Sequence, residues 1–153
     1  MKIRNLFILM FVAFCAVSCG SDDDEKVSDA SVVAGSYVGS SSATFKYVTT
    51  PMVTTDDTLT IKATADNTLD ITYRSSTWGT MKITNALVAR NNTTYTITGN
   101  GTIMMEMNGS KPKNYECTFS ALMTCEEKNT KYVITIPSVM GGLVITFAKS
   151  ATI

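Results

Sequence analysis

Asp57-Thr58-Leu59-Thr60-Ile61-Lys62-Ala63-Thr64-Ala65-Asp66-Asn67-Thr68-Leu69-Asp70-Ile71-Thr72-Tyr73-Arg74 is the run that decides the fold. Leu59, Ile61 and Ala63 alternate with Thr60, Lys62 and Thr64, and Leu69, Ile71 and Tyr73 alternate with Asp70, Thr72 and Arg74. A period of two puts each apolar set on one face of a half-buried strand. Residues paired across an antiparallel ladder share a face, so Ala63 is expected opposite Leu69, Ile61 opposite Ile71 and Leu59 opposite Tyr73. That register leaves Ala65-Asp66-Asn67 as a three-residue loop, with Asn67 in the left-handed conformation that Asn tolerates.

Working outward, the same rule applies around Gly99-Asn100-Gly101. A two-residue Asn100-Gly101 turn would set Tyr95 against Glu106 and bury a charge, whereas a three-residue loop over 99–101 pairs Ile97 with Ile103 and Tyr95 with Met105. Further strands are expected at roughly 35–48, 78–88, 114–125, 130–137 and 142–149, with turns near 89–92, 126–130 and 137–142. No segment of ten residues carries a helical stripe. The chain therefore reads as an all-β antiparallel meander of nine short strands, which must close or stack to hide its edges. An up-and-down barrel of about eight strands is expected, with a two-sheet β-sandwich as the alternative.

The N-terminus has a different character. Lys2 and Arg4 precede an apolar run from Leu6 to Val17. That run is too short to cross about 30 Å of hydrocarbon as a helix, which takes roughly 20 residues. The layout is that of a cleavable signal peptide over residues 1–18. Ala16-Val17-Ser18-Cys19-Gly20 resembles the bacterial lipobox, which implies that Cys19 is lipidated and anchors the mature chain to a membrane. Residues 19–31 then read as an acidic, solvated tether, with Asp22-Asp23-Asp24-Glu25 at its head. Acids just after the acylated cysteine resemble the export signal of Bacteroidetes-type lipoproteins, which implies the outer face of the outer membrane.

Residues 32–153 are enough for one domain with a real core and not for two. The chain as a whole has 13 basic and 13 acidic residues. The acids of the tether account for much of the latter, so residues 30–153 carry ten bases against eight acids. No basic stripe runs through them, which speaks against a nucleic-acid partner. Cys117 and Cys125 would lie about 26 Å apart on one strand at ~3.3 Å per residue, so they read as two buried, inward thiols unless the chain turns between them. Histidine is absent altogether, which removes the usual general base and the commonest metal ligand. Asp56-Asp57 reads as the end of a loop, and Asp70, Glu106 and Glu116 point outward by alternation. Met105 and Met107 share a face, a spacing that permits Cu(I), but methionine is also a filler of cores. No nucleophile motif or phosphate loop appears, so neither catalysis nor a cofactor is expected.

Val33-Ala34-Gly35-Ser36-Tyr37-Val38-Gly39 resembles the opening of lipocalin-like (calycin-like) domains, and the strands opening Asp57-Thr58-Leu59 and Asn67-Thr68-Leu69 resemble the calycin-like lipoproteins of Bacteroidetes. The resemblance covers about residues 32–149. It implies a small barrel able to hold a ligand, with Tyr37 where the family has a tryptophan that plugs the closed end. In such a barrel, loops 49–57, 75–77, 99–101 and 126–130 gather at one end, and 65–67, 89–92, 108–113 and 137–142 at the other. The first group holds an apolar flap, Pro51, Met52 and Val53, beside Trp78. An open mouth is then expected to take a small apolar ligand against Met52, Val53, Tyr73, Trp78 and Met81. The competing expectation is a barrel filled by its own side chains, acting as an interaction module for an envelope protein, a glycan or a host protein.

Overall fold

The computed structural model describes residues 27–124 and 130–150. A five-residue helix, α1 (Asp29–Val33), is followed by eight strands: β1 (Gly35–Phe45), β2 (Val48–Ala65), β3 (Thr68–Ser75), β4 (Gly79–Asn91), β5 (Thr94–Met105), β6 (Lys113–Thr124), β7 (Lys131–Ile136) and β8 (Leu143–Lys149). Each strand pairs antiparallel with the next, and β1 pairs with β8 from Gly39↔Lys149 to Thr44↔Val144, so the meander closes into a barrel. Closure settles the choice between barrel and sandwich. It pairs strands that a sandwich would have to leave at sheet edges.

The β2–β3 register is the one the alternation dictates, with Leu59↔Tyr73, Ile61↔Ile71 and Ala63↔Leu69. Its turn is tighter than expected. Ala65 pairs with Thr68, so only Asp66 and Asn67 lie outside the ladder, and Thr64 takes up the extra residue as a bulge. Asn67 does not adopt positive φ; among the described residues, the non-glycine residues that do are Asp56, Asn85, Asn92, Asn108 and Met140.

The expected hairpin at Gly99-Asn100-Gly101 is absent. β5 runs straight through it and pairs with β6 without interruption from Thr94↔Thr124 to Met105↔Lys113. The glycines answer to the opposite neighbour. β4 bulges between Lys82 and Leu87, with Asn85 at φ 56°, its N–H donating to Asp70 Oδ1. The bulge presses against β5: a Cβ on Gly99 would lie 2.7 Å from Ile83 Cγ2 and 2.8 Å from Ala86 Cβ, and one on Gly101 would meet the Lys82 carbonyl. Glycine in a strand interior often marks such a close approach. Period two survives through it, with Tyr95, Ile97, Ile103 and Met105 buried on one face.

One strand fewer reassigns every later turn. The turns 46–47, 76–78, 106–112 and 137–142 share one end, the hairpin end, while 66–67 and 92–93 share the other. That second end is covered by α1, whose Ala30 and Val33 are fully buried and whose Ala30 N–H donates to the Asp66 carbonyl at 3.0 Å. Residues 29–31, read from the sequence as tether, thus form the start of a packed helix. Ser28 caps it, accepting from Ser31 N–H. Tyr37 faces inward from β1 opposite Leu59. It is half-buried, its ring 5.8 Å from that of Tyr132.

The apolar flap expected over 49–57 is also replaced by strand. Ser41, Ser42 and Ala43 of β1 pair with Thr54, Val53 and Met52 of β2. Five β-branched residues in that stretch favour extension, and Pro51 falls in a bulge between Val48 and Met52, one of the places a ladder tolerates proline.

Candidate functional site

The residues anticipated at a ligand mouth separate into two groups. Tyr73 and Met81 are paired neighbours on β3 and β4, both wholly buried in the interior, and Trp78 closes the β3–β4 turn at 5 % exposure. Met52 and Val53 stand on β2 near the hairpin end, 46 % and 67 % exposed. The two groups form no common lining, because the segment carrying Met52 and Val53 is held as strand against β1 instead of folding over the barrel end.

The barrel interior is occupied by its own side chains. Tyr73 meets Phe147 edge-on at 6.2 Å, Phe147 lies 5.9 Å from Tyr132, and Tyr132 lies 6.2 Å from Phe119, all of them buried. This chain of rings crosses the space that a carrier would leave for cargo. Met105 is part of the same core and Met107 packs at its margin. Among the described residues, no group of three or more His, Cys, Asp or Glu side chains is placed to hold a metal ion.

One polar cluster interrupts this core. Asp57 is fully buried, and its Oδ2 accepts from Thr54 Oγ1 at 2.6 Å and from the Tyr73 hydroxyl at 3.0 Å. The Tyr73 hydroxyl also shares a hydrogen bond with Ser41 Oγ at 2.7 Å. Since Tyr73 spends its proton on the carboxylate, Ser41 is the donor in that pair. Asp57 Oδ1 and Trp78 Nε1 are buried without a partner among the described residues, which is rare for groups that cost free energy when desolvated. Burial pushes the Tyr73 phenol well above its ordinary range. The sequence reading missed Asp57 by assigning it to a loop. Counting back by two from Ile61 and Leu59 would have set it on the inner face, and the bulge that follows toward Thr54, with Asp56 at positive φ, brings Thr54 opposite the buried Ser41.

A cleft of about 460 Å³ opens at the hairpin end between the β3–β4 turn and the β5–β6 loop, lined among others by Thr77, Thr80, Met104 and Glu106. It borders Trp78 in sequence but includes none of the anticipated ligand residues. Cys117 is a buried free thiol on β6, and burial pushes it up to about 11. Cys125 and Cys19 lie outside the described residues.

Comparison with known proteins bears on the same features. A comparison with curated proteins returns no match. Among solved structures, one from Bacteroides fragilis, provisionally named an outer membrane protein, is similar with a TM-score of 0.67 and 27 % identity. The likeness covers 81 % of this chain and 46 % of that one, so the chain spans a little under half of its neighbour's length. The family profile of the calycin-like beta-barrel domain matches residues 33–148, from before β1 to the last residue but one of β8. With a closed eight-stranded meander, an inward tyrosine where strand one begins and a profile match over most of its length, the chain belongs to the calycin-like beta-barrel domain family.

Proposed function

We propose that this chain is an envelope lipoprotein, anchored through Cys19 after removal of residues 1–18, whose barrel is a non-catalytic recognition module and not a carrier. The observation that carries the reading is the filled interior. Tyr73, Phe147, Tyr132 and Phe119 occupy the volume in which a ligand-carrying barrel of eight strands keeps its cargo, which leaves recognition to the outer surface and the hairpin end. The lipobox-like Ala16-Val17-Ser18-Cys19 and the acids behind it support an outer-membrane location, as does the name of the Bacteroides fragilis neighbour. Several acyl chains would make such an anchor stable, and the acids favour the outer surface of the cell.

The reading is tested in three arms. Intact mass of the protein extracted from membranes should show acyl groups on a chain beginning at Cys19, and Cys19→Ala should release the protein from the membrane. Titration with a panel of lipophiles should leave Trp78 fluorescence unchanged; saturable quenching would mean that the interior opens and the barrel is a carrier. Shaving intact cells with protease should remove the domain if it is surface-exposed, and its survival would place it on the inner face.

A second reading, a small-ligand site, rests on the cleft beside the β3–β4 turn. Its Thr77 and Thr80 hydroxyls, Glu106 carboxylate and Met104 thioether suit a polar ligand with one apolar face.

A further inference from the structure

Two polar atoms buried at the hairpin end share one need. Asp57 and Trp78 are 0 % and 5 % exposed, and neither Asp57 Oδ1 nor Trp78 Nε1 has a hydrogen-bond partner among the described residues. The other oxygen of the same carboxylate is well supplied, by Thr54 Oγ1 at 2.6 Å and the Tyr73 hydroxyl at 3.0 Å. Leaving a buried donor or acceptor unmet costs free energy, and each such group in a folded protein asks for a physical reason.

The topology brings both atoms to the neighbourhood of Ser75. Thr58 pairs with Arg74, so Asp57 stands one rung further on, level with Ser75, the last residue of β3. Side chains level with each other on one face have their Cβ atoms about 5 Å apart. Ser75 also holds the turn that carries the indole, because its Oγ accepts from the Thr77 and Trp78 N–H groups at 3.3 and 3.2 Å. The Ser75 hydroxyl acts as well on the Tyr73 phenol, which is the donor to Asp57 Oδ2.

The two orphans are complementary. An indole N–H only donates and a carboxylate oxygen only accepts, yet they do not bond to each other. A cation would serve Asp57 and leave Trp78 unmet, and an anion would serve Trp78 against the charge of Asp57. A hydroxyl group serves both, donating its proton to Asp57 Oδ1 and accepting from Trp78 Nε1, and it is small enough for an interior already filled by rings. We propose that the hairpin end encloses one hydroxyl-bearing molecule that bridges Asp57 Oδ1 and Trp78 Nε1. Its hydroxyl has two possible sources. One is an enclosed water, the usual partner of otherwise unsatisfied buried groups. The other is the end of a polyol seated in the cleft outside, whose lining residues Ser76, Thr77, Gly79 and Thr80 flank Trp78 on both sides, so that the turn carrying the indole forms its wall. Neither source requires the barrel to be a carrier.

The test uses the full chain purified from membranes into detergent, with its tryptophan labelled at the indole nitrogen. Trp78 is the only tryptophan, so the side-chain N–H gives a single magnetic-resonance signal. In buffer free of polyols, a dipolar cross-peak from water to this buried N–H is expected if the hydroxyl is that of an enclosed water. In a glycerol titration, a saturable shift of the same signal is expected if it is that of a polyol. A cross-peak or a saturable shift supports the proposal and names the source; the absence of both overturns it. Asp57→Leu should abolish the cross-peak, or weaken glycerol binding about tenfold, the scale of a lost hydrogen bond to a charged group. Persistence of either signal in that variant overturns the bridge, since Trp78 would then hold the molecule alone. If the variant does not fold, a crystal structure of the native chain decides, grown in whichever solution gave the signal. Density within hydrogen-bond distance of both atoms sustains the bridge, and density at one of them or at neither overturns it.

Discussion

The Tyr73 hydroxyl donates to Asp57 Oδ2 at 3.0 Å, with both side chains withdrawn from solvent, and it joins β3 to β2 beside the β2 bulge, where an acid stands in an apolar interior. Removing the phenol leaves the carboxylate with Thr54 alone as donor. Tyr73→Phe is therefore expected to cost about 1–3 kcal/mol, the penalty for stranding a buried polar group. Combined with Asp57→Asn, urea unfolding should reveal a coupling of about 0.5–3 kcal/mol between the two sites; strict additivity would mean that the hydrogen bond contributes nothing to stability.

Cys117 gives the stability a definite dependence on alkaline pH. Its thiol is raised from 9.0 to about 11 by burial, so the folded state holds the proton more tightly than the unfolded chain. The resulting stabilisation is present in full below pH 9 and is lost as pH rises through about 11. The Tyr73 phenol, raised further, adds the same sign of dependence starting above pH 10. Urea midpoints measured from pH 8 to 11 should fall less steeply for Cys117→Ala than for the native chain. Iodoacetamide should modify Cys117 rapidly only in denaturant.

The legible parts of this fold were those that period two controls. Leu59, Ile61 and Ala63 found their partners in Tyr73, Ile71 and Leu69 because both faces of a strand are written in its own residues. The illegible parts were set by neighbours distant in sequence. Nothing local distinguishes Gly99 and Gly101 at a turn from the same glycines under the β4 bulge, and that one ambiguity put the 108–113 and 137–142 turns at the wrong end. The site suffered similarly. Asp57 looked like loop because Pro51 and Asp56 punctuate the segment, whereas pairing with β1 holds it as strand. Tyr73 reads as inward from its alternation, but whether an interior is full depends on which rings meet across it.

Phe147 touches both Tyr73 and Tyr132, within 6.2 Å and 5.9 Å of their ring centres, and so sits at the middle of the aromatic filling. Phe147→Ala is expected to cost about 3–5 kcal/mol. It should also create an apolar cavity able to take up small aromatic molecules, as engineered cavities do. Benzene at saturation should then raise the melting temperature of the variant by ligand linkage and leave the native chain unchanged. A rise in the native protein would show that its interior is already open.

Gly99 offers the sharpest discrimination between the strand that exists and the turn its sequence resembles. In an exposed three-residue loop at negative φ, Gly→Ala is neutral or mildly stabilising, because it only restricts the unfolded chain. In β5 the new methyl meets the side-chain atoms Ile83 Cγ2 and Ala86 Cβ at 2.7 and 2.8 Å, and Ala86 Cβ is fixed to the bulged backbone of β4, which cannot retreat without breaking its pairing on either side. Gly99→Ala should therefore destabilise by about 1–3 kcal/mol, as overpacking does, and lower the melting temperature by several degrees. Gly109→Ala is the contrasting case: its Cβ meets no atom within 4 Å, but its φ is +70°, so its cost of roughly 1 kcal/mol is conformational alone. Ala86→Gly should partly rescue Gly99→Ala by removing one of the two contacts, and it should leave Gly109→Ala unrelieved.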